Sequence, residues 1–396
     1  MKKDFFTYQA QTTPHPLAVE ISYAKGSYIY TTQGQKLLDF VAGVSACSLG
    51  HQHPKVVTAI KEQVDKYLHV MVYGEYIQQP SVALSKLLAK HLPSPLSQTY
   101  LTNSGTEAIE GALKLARRVT GRSQIIAANH AYHGNTMGAL SVTGFEERKQ
   151  PFRPLIPDVH FIDFNDASQL HQITKKTAGV ILETIQGGAG FIQPVNNYLK
   201  KVRRRCDAVG AFLILDEIQP GFGRTGTLFG FEHYQIVPDV VVMGKGMGGG
   251  LPIGAFTASN KHMMQLSDNP KLGHITTFGG NPVIAAAALA TLQEITQTTL
   301  IADTLCKEKL FRKLLVHPLV KEIRGIGLML AVITPSAEIT NFIISEAQKE
   351  GLILFWLLFE PKALRITPPL TISHQEIEEG CQVILSLLDK ALPIFS

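Results

Sequence analysis

The sequence predicts an α/β fold: a large domain on a mostly parallel sheet, with a smaller α+β domain beside it. Three observations predict this. Continuous apolar runs rich in β-branched residues recur between Ile125 and Met243, as strands buried on both faces require. Stretches of helical pattern are interleaved with them. Beyond about Leu300 that alternation gives way to a mixed strand-and-helix texture. The expected organisation is therefore residues 1–49 as an N-terminal segment packing with the small domain, 50–299 as the large domain and 300–396 as the small one.

Taken in order, the first part of the chain holds short strand-like pieces such as Ser27-Tyr28-Ile29-Tyr30, followed by the turn Thr32-Gln33-Gly34-Gln35. Helices are expected over residues 54–67, 107–119 and 198–209. Buried strands are expected over 125–128, 179–182, 212–215 and 240–243. The last helix is expected over 376–388. Residues 356–359 (Trp-Leu-Leu-Phe) read as a buried strand of the small domain rather than as a partner-binding patch.

Composition removes several function classes. Hydrophobic residues make up 45% and charged residues 17%, too apolar for a disordered chain. Lys and Arg number 37 against 32 Asp and Glu, a net charge of +5 with no long basic run, so neither nucleic acid nor a membrane surface is an expected partner. The apolar stretch at residues 352–359 is far short of the ~20 residues of a membrane span. Thr7, Gln9, Gln11, Thr12 and Thr13 stand where a signal peptide would place its apolar core. Cys47, Cys206, Cys306 and Cys381 are scattered, against a disulfide scaffold or zinc ribbon and in keeping with a cytoplasmic protein. His51 and His53, or His130 and His133, do not close a zinc site by themselves, so no metal is expected.

Ligands of open α/β sheets collect at the carboxyl ends of strands, and three features stand there. Asp216 follows the strand at 212–215, and a carboxylate so placed needs a partner. Its plainer reading is a cap or an ion pair with Arg224. Lys245 follows the strand at 240–243, inside Gly244-Lys245-Gly246-Met247-Gly248-Gly249-Gly250. Its plainer reading is a flexible glycine turn with a solvated lysine. Ser104-Gly105-Thr106 opens a helix, whose free amides and dipole attract an anion, most often phosphate. Its plainer reading is simple capping. Together the three match what pyridoxal 5′-phosphate requires: a phosphate cradle, a lysine amine to condense with its aldehyde, and a carboxylate for its pyridine nitrogen. Gly244, Gly246 and Gly249 also fit a dinucleotide-binding fingerprint. A lysine sits inside that motif, however, and Leu251-Pro252 follow where a helix should open.

Longer motifs carry a resemblance. Ile214-Leu215-Asp216-Glu217-Ile218-Gln219-Pro220-Gly221-Phe222-Gly223-Arg224-Thr225-Gly226 and Gly244-Lys245-Gly246-Met247-Gly248-Gly249-Gly250 resemble the class III aminotransferases of ornithine, acetylornithine and 4-aminobutyrate. So do Leu49-Gly50-His51-Gln52-His53-Pro54, Tyr132-His133-Gly134, Thr276-Thr277-Phe278-Gly279-Gly280-Asn281-Pro282 and Leu364-Arg365-Ile366-Thr367-Pro368-Pro369. The resemblance implies a fold-type-I transferase with a seven-stranded, mostly parallel sheet, and amino transfer to a 2-oxo acid such as 2-oxoglutarate from ornithine, N-acetylornithine or a related ω-amino acid, with 4-aminobutyrate, lysine or an α-amino acid as the alternative donor. It further implies that Lys245 holds the cofactor and then acts as general base, and that Asp216 pairs with the pyridine nitrogen. Ser104, Gly105 and Thr106 are implied to bind the phosphate, Tyr132 to stack on the ring, His133 to position the Tyr132 loop, and Gln219 to lie near the 3′-oxygen. Glu183 belongs to the same implied pocket. Arg365 is implied to grip a substrate carboxylate, and Thr277 to reach the cofactor of a neighbouring subunit, in a homodimer with shared active sites.

Two departures bear on the substrate. Residues 183–190 read Glu-Thr-Ile-Gln-Gly-Gly-Ala-Gly where the family usually has Glu-Pro-x-Gln-Gly-Glu-x-Gly. Gly188 thus replaces the glutamate that masks the carboxylate-binding arginine while an ω-amine binds. Asn135 stands where relatives often carry arginine.

Overall fold

The structure, a computed structural model, describes residues 1–395. β1 (Ile21–Lys25), β2 (Tyr28–Thr31) and β3 (Lys36–Asp39) form an antiparallel meander. Then β4 (Gln98–Thr102), β5 (Gln124–Ala128), β6 (Val159–Ile162), β7 (Thr177–Glu183), β8 (Phe212–Asp216), β9 (Val240–Gly244) and β10 (Gly254–Ala258) build a seven-stranded sheet of order β4-β10-β9-β8-β7-β5-β6. From β9 to β6 the pairing is parallel, while β10 runs against both its neighbours. β11 (Glu322–Ile326), β12 (Met329–Ile333), β13 (Leu352–Ile353), β14 (Phe355–Trp356) and β15 (Ala363–Ile366) follow. β11-β12-β15-β14 make an antiparallel sheet, and β13 joins β3 in parallel, so C-terminal sequence completes the N-terminal meander.

The strand pattern explains the layers. Val180, Leu182, Leu213, Leu215, Val241 and Met243 point into one core cluster, and Ile181, Phe212, Ile214, Val240 and Val242 into another. Side chains alternate along a strand, so a run without polar residues feeds both faces. Each such side chain contributes roughly 1.5–3 kcal/mol on burial. On one face the helix Gly105–Thr120 presses so close that a Cβ on Gly111 would fall 2.8 Å from Phe256 Cδ1. On the other, the helices Pro54–Val64 and Gln79–His91 pack on Pro282–Gln297.

Several element ends differ from expectation. The first of these helices stops at Val64, short of residue 67. The helix expected at 107–119 spans Gly105–Thr120, because Ser104 caps it and Gly121, at φ 66°, ends it left-handed. The last helix runs His374–Phe395, and Ala391 carries its buried face one turn beyond Leu388. Residues 356–359 are not a buried strand: pairing ends at Trp356, and Phe355 and Leu358 are exposed. β14 is an edge strand, and beyond it the chain turns toward the larger sheet.

Candidate active site

The register of β7, β8 and β9 assembles the centre. Glu183 pairs with Asp216, and Asp216 with Val242. Neighbouring strands lie ~4.8 Å apart, so two carboxylates and the chain that leads into Lys245 share one edge of the sheet. Lys245 is the first residue past β9 and is held at φ 43°, a left-handed conformation that costs a non-glycine residue roughly 1–3 kcal/mol. The glycines around it form a tight loop rather than a flexible turn: a Cβ on Gly246 would strike Ser48, and one on Gly249 would strike Thr291.

Asp216 is held from two sides. His133 Nδ1 lies 2.8 Å from Oδ2, and the Ile218 amide donates to Oδ1 at 2.9 Å. The His133 bond also ties the loop that carries Tyr132 to the sheet edge, and His133 Nε2 is buried without a partner among the described residues. Arg224 does not pair with Asp216 but donates to the carbonyls of Leu328 and Pro368. The Tyr132 loop is braced by Glu183, whose Oε1 accepts from the Tyr132 amide at 2.9 Å and Oε2 from the Gly187 amide at 2.7 Å. Burial pushes the Glu183 carboxyl up to about 7. Lys245 makes no hydrogen bond or ion pair among the described residues, and burial pulls its amine below the ordinary lysine range.

The helix N-terminus joins this edge through glycines. A Cβ on Gly105 would fall 2.6 Å from Ile218 Cδ1, and one on Gly244 would fall 3.4 Å from Gly105 Cα. The loops after β4, β8 and β9 therefore touch. The Ser104 hydroxyl accepts from the Glu107 amide at 3.4 Å, so capping is real. The Gly105 and Thr106 amides have no acceptor among the described residues, as helix N-termini leave them. Thr106 Oγ1 lies 2.7 Å from Thr136 Oγ1. Gln219 donates to Ser45 Oγ at 3.3 Å. Thr277 is exposed and bonds to none of these residues, although its neighbour Thr276 accepts from Asn103 Nδ2 at 2.8 Å.

Arg365, on β15, closes the cleft from the other sheet. Its Nε donates to Trp356 O at 3.3 Å, its guanidinium sits 5.7 Å from the Phe191 ring centre, and its Nη1 is buried unpaired. Burial without an acid partner lowers it to about 10. The space of the missing glutamate is filled: a Cβ on Gly188 would lie 2.9 Å from Phe359 Cδ2, and the Phe359 amide donates to Gly188 O at 2.9 Å.

Sequence reasoning missed three contributors. Ser45 reaches Gln219. Thr184, noted only as a departure, donates to the buried Glu217 at 2.5 Å. Asp39 anchors the 39–51 turn by bonding His51 at 2.9 Å and the Val41 and Ala42 amides. None had a local signal, since each partner is distant in sequence or held by a turn.

The unspent donors ask for an anion with a flat body. The Lys245 amine, Arg365 Nη1, His133 Nε2 and the amides of Gly105 and Thr106 are unmatched, and the glycines leave backbone where side chains would fill the space. These residues fit pyridoxal phosphate. Solved structures share the architecture and define the class. Ornithine aminotransferase from Toxoplasma gondii superposes with a TM-score of 0.91 at 29% identity, over 100% of this chain and 96% of that one. The fold is that of the fold-type-I transferases, and the protein is a transaminase. The family profile for aminotransferase class-III matches residues 8–388, and the chain belongs to that family. Acetylornithine aminotransferase of Caldanaerobacter subterraneus subsp. tengcongensis is 37% identical over 379 residues, 92% of this chain and 93% of the relative. Putrescine aminotransferase of Pectobacterium atrosepticum is 39% identical, over 95% of this chain and 84% of the relative. Among the described residues no helix is long and apolar enough to cross a membrane, and no cluster of His, Cys, Asp and Glu could hold a metal ion.

Proposed function

We propose that this chain uses pyridoxal 5′-phosphate to move an amino group from ornithine, N-acetylornithine or a related ω-amino acid to a 2-oxo acid, with 2-oxoglutarate as acceptor, in a ping-pong cycle. When bound, the cofactor supplies an electron sink for the carbon that loses its proton. Lys245 would hold it covalently, and its depressed basicity keeps a neutral amine available to carry a proton between substrate and cofactor. Asp216 would hold the proton on the ring nitrogen, with His133 fixing the carboxylate. Gly105, Thr106 and Ser104 would take the phosphate. Tyr132 would cover one ring face, Gln219 would lie beside the ring oxygen, and Glu183 would brace the Tyr132 loop. Arg365 would grip a substrate carboxylate with its unpaired nitrogen.

The observation that carries this reading is the contact of the loops after β4, β8 and β9, which brings an anion cradle, a bonded carboxylate and a free amine to one edge. The test is amino transfer from a panel of donors to 2-oxoglutarate and to pyruvate. Lys245→Ala is expected to abolish turnover together with the yellow colour of the bound cofactor, and retained turnover would contradict the assignment.

A homodimer with Thr277 serving the neighbouring site belongs to the same reading. It is supported by the apolar residues around Thr277 and the adjoining groove, with Ile77 94% and Phe278 55% exposed. So do a cytoplasmic location, supported by four unpaired cysteines, and a division into residues 50–299 against 1–49 with 300–396.

A further inference from the structure

We infer that Arg148 and Arg365 form a two-ended clamp for a dicarboxylic 2-oxo acid, with the Phe145–Phe359 pair as the wall between the ends. The inference rests on the amino-transfer reading and names the determinant of its acceptor class.

Arg148 lies on the short helix Glu146–Lys149, and its guanidinium stands 5.5 Å from the Phe359 ring centre. Its neighbours are spent: Arg153 bonds Glu146 at 2.6 Å and Lys149 lies 3.6 Å from the same carboxylate. Arg148 itself has no carboxylate or carbonyl partner among the described residues, although Glu146 and Glu147 adjoin it in sequence. Phe359 is stacked on Phe145 at 4.5 Å and 11° and tied by its amide to Gly188, so the cation rests on a fixed wall beside the cofactor loop. Arg148 also opposes the effect of burial on the Tyr132 hydroxyl, so the charge is felt inside the cleft.

The other end is Arg365. Its Nε is tied to Trp356 O, and the Phe359 ring beneath Arg148 follows three residues later, so one short segment of chain carries both cations. A five-carbon diacid puts a carboxylate at each of its ends, one for each guanidinium. Arg148 thereby supplies a cation that Asn135 does not. With Gly188 in place of an acid, neither arginine has a carboxylate partner among the described residues, and Arg365 keeps Nη1 unpaired for a substrate carboxylate.

The test compares acceptors in the holoenzyme. For Arg148→Gln, the ratio of kcat/KM for 2-oxoglutarate to that for pyruvate is expected to fall about tenfold or more, through KM rather than kcat. Arg148→Lys, which keeps a charge without the fork, is expected to recover part of it. An unchanged ratio in Arg148→Gln overturns the clamp. If the native enzyme transfers an amino group to neither acceptor, the amino-transfer reading fails. The clamp is then judged by calorimetric titration with glutarate and with butyrate. Tighter binding of glutarate, lost in Arg148→Gln, upholds it, and equal binding of the two acids overturns it.

Discussion

Two regions of the same three strands differ in kind. The interiors of β7, β8 and β9 are fully buried and apolar, and feed two core clusters with interchangeable aliphatic side chains. Their carboxyl ends, one residue further on, hold Glu183, Asp216 and the chain into Lys245. There a carboxyl group is displaced to about 7, a lysine is depressed in basicity and a non-glycine residue is held left-handed. Many side chains share the burden in the interior, and any one can be trimmed at a graded cost. At the ends Asp216 and Glu183 each have two specific partners, Lys245 has none among the described residues, and no neighbour can substitute for any of them. Stability and chemistry are thus separated along a strand by a few ångströms.

Substitutions can break that comparison or sharpen it. The largest effect is expected at the edge: Asp216→Ala should lower kcat by at least about 10³-fold in steady-state assays, with a smaller loss of thermal stability. Leu213→Ala, three residues earlier on the same strand, should cost ~2–5 kcal/mol in denaturant unfolding, while the kcat of the folded enzyme stays near native. Equal kinetic damage from the two would erase the distinction. Gly188→Glu should cost ~1–3 kcal/mol, because its Cβ meets the Phe359 ring. Adding Phe359→Ala should return part of this loss and raise the preference for ω-amines over α-amino acids. The smallest effect concerns pH. Glu183 has a folded-state pKa raised above its unfolded value, so the folded protein binds more protons between about 4.5 and about 7. Stability should therefore decline as pH rises through that window, by at most ~1.4 kcal/mol per pH unit. Glu183→Gln should flatten the decline in unfolding titrations of the cofactor-free protein.

The strands and the helix N-terminus were legible because they depend on local pattern. Residues 240–243 carry no polar side chain, and Ser104-Gly105-Thr106 carries a cap. The pairing of His133 with Asp216 was not legible, since 83 residues separate them and only the sheet brings them together. The filling of the Gly188 gap by Phe359 was likewise hidden, because Phe359 comes from the segment between β14 and β15, far along the chain. Arg224 was misplaced for the opposite reason: it is near Asp216 in sequence yet spends its charge on carbonyls more than a hundred residues away.

By itself the sequence determined the alternation of strands and helices and the residue types delivered to strand ends, because backbone propensity and side-chain burial act over a few residues. Only the tertiary structure decided which donor meets which acceptor and which arginines are left unpaired. Those outcomes depend on distances of a few ångströms between segments that the chain order keeps far apart.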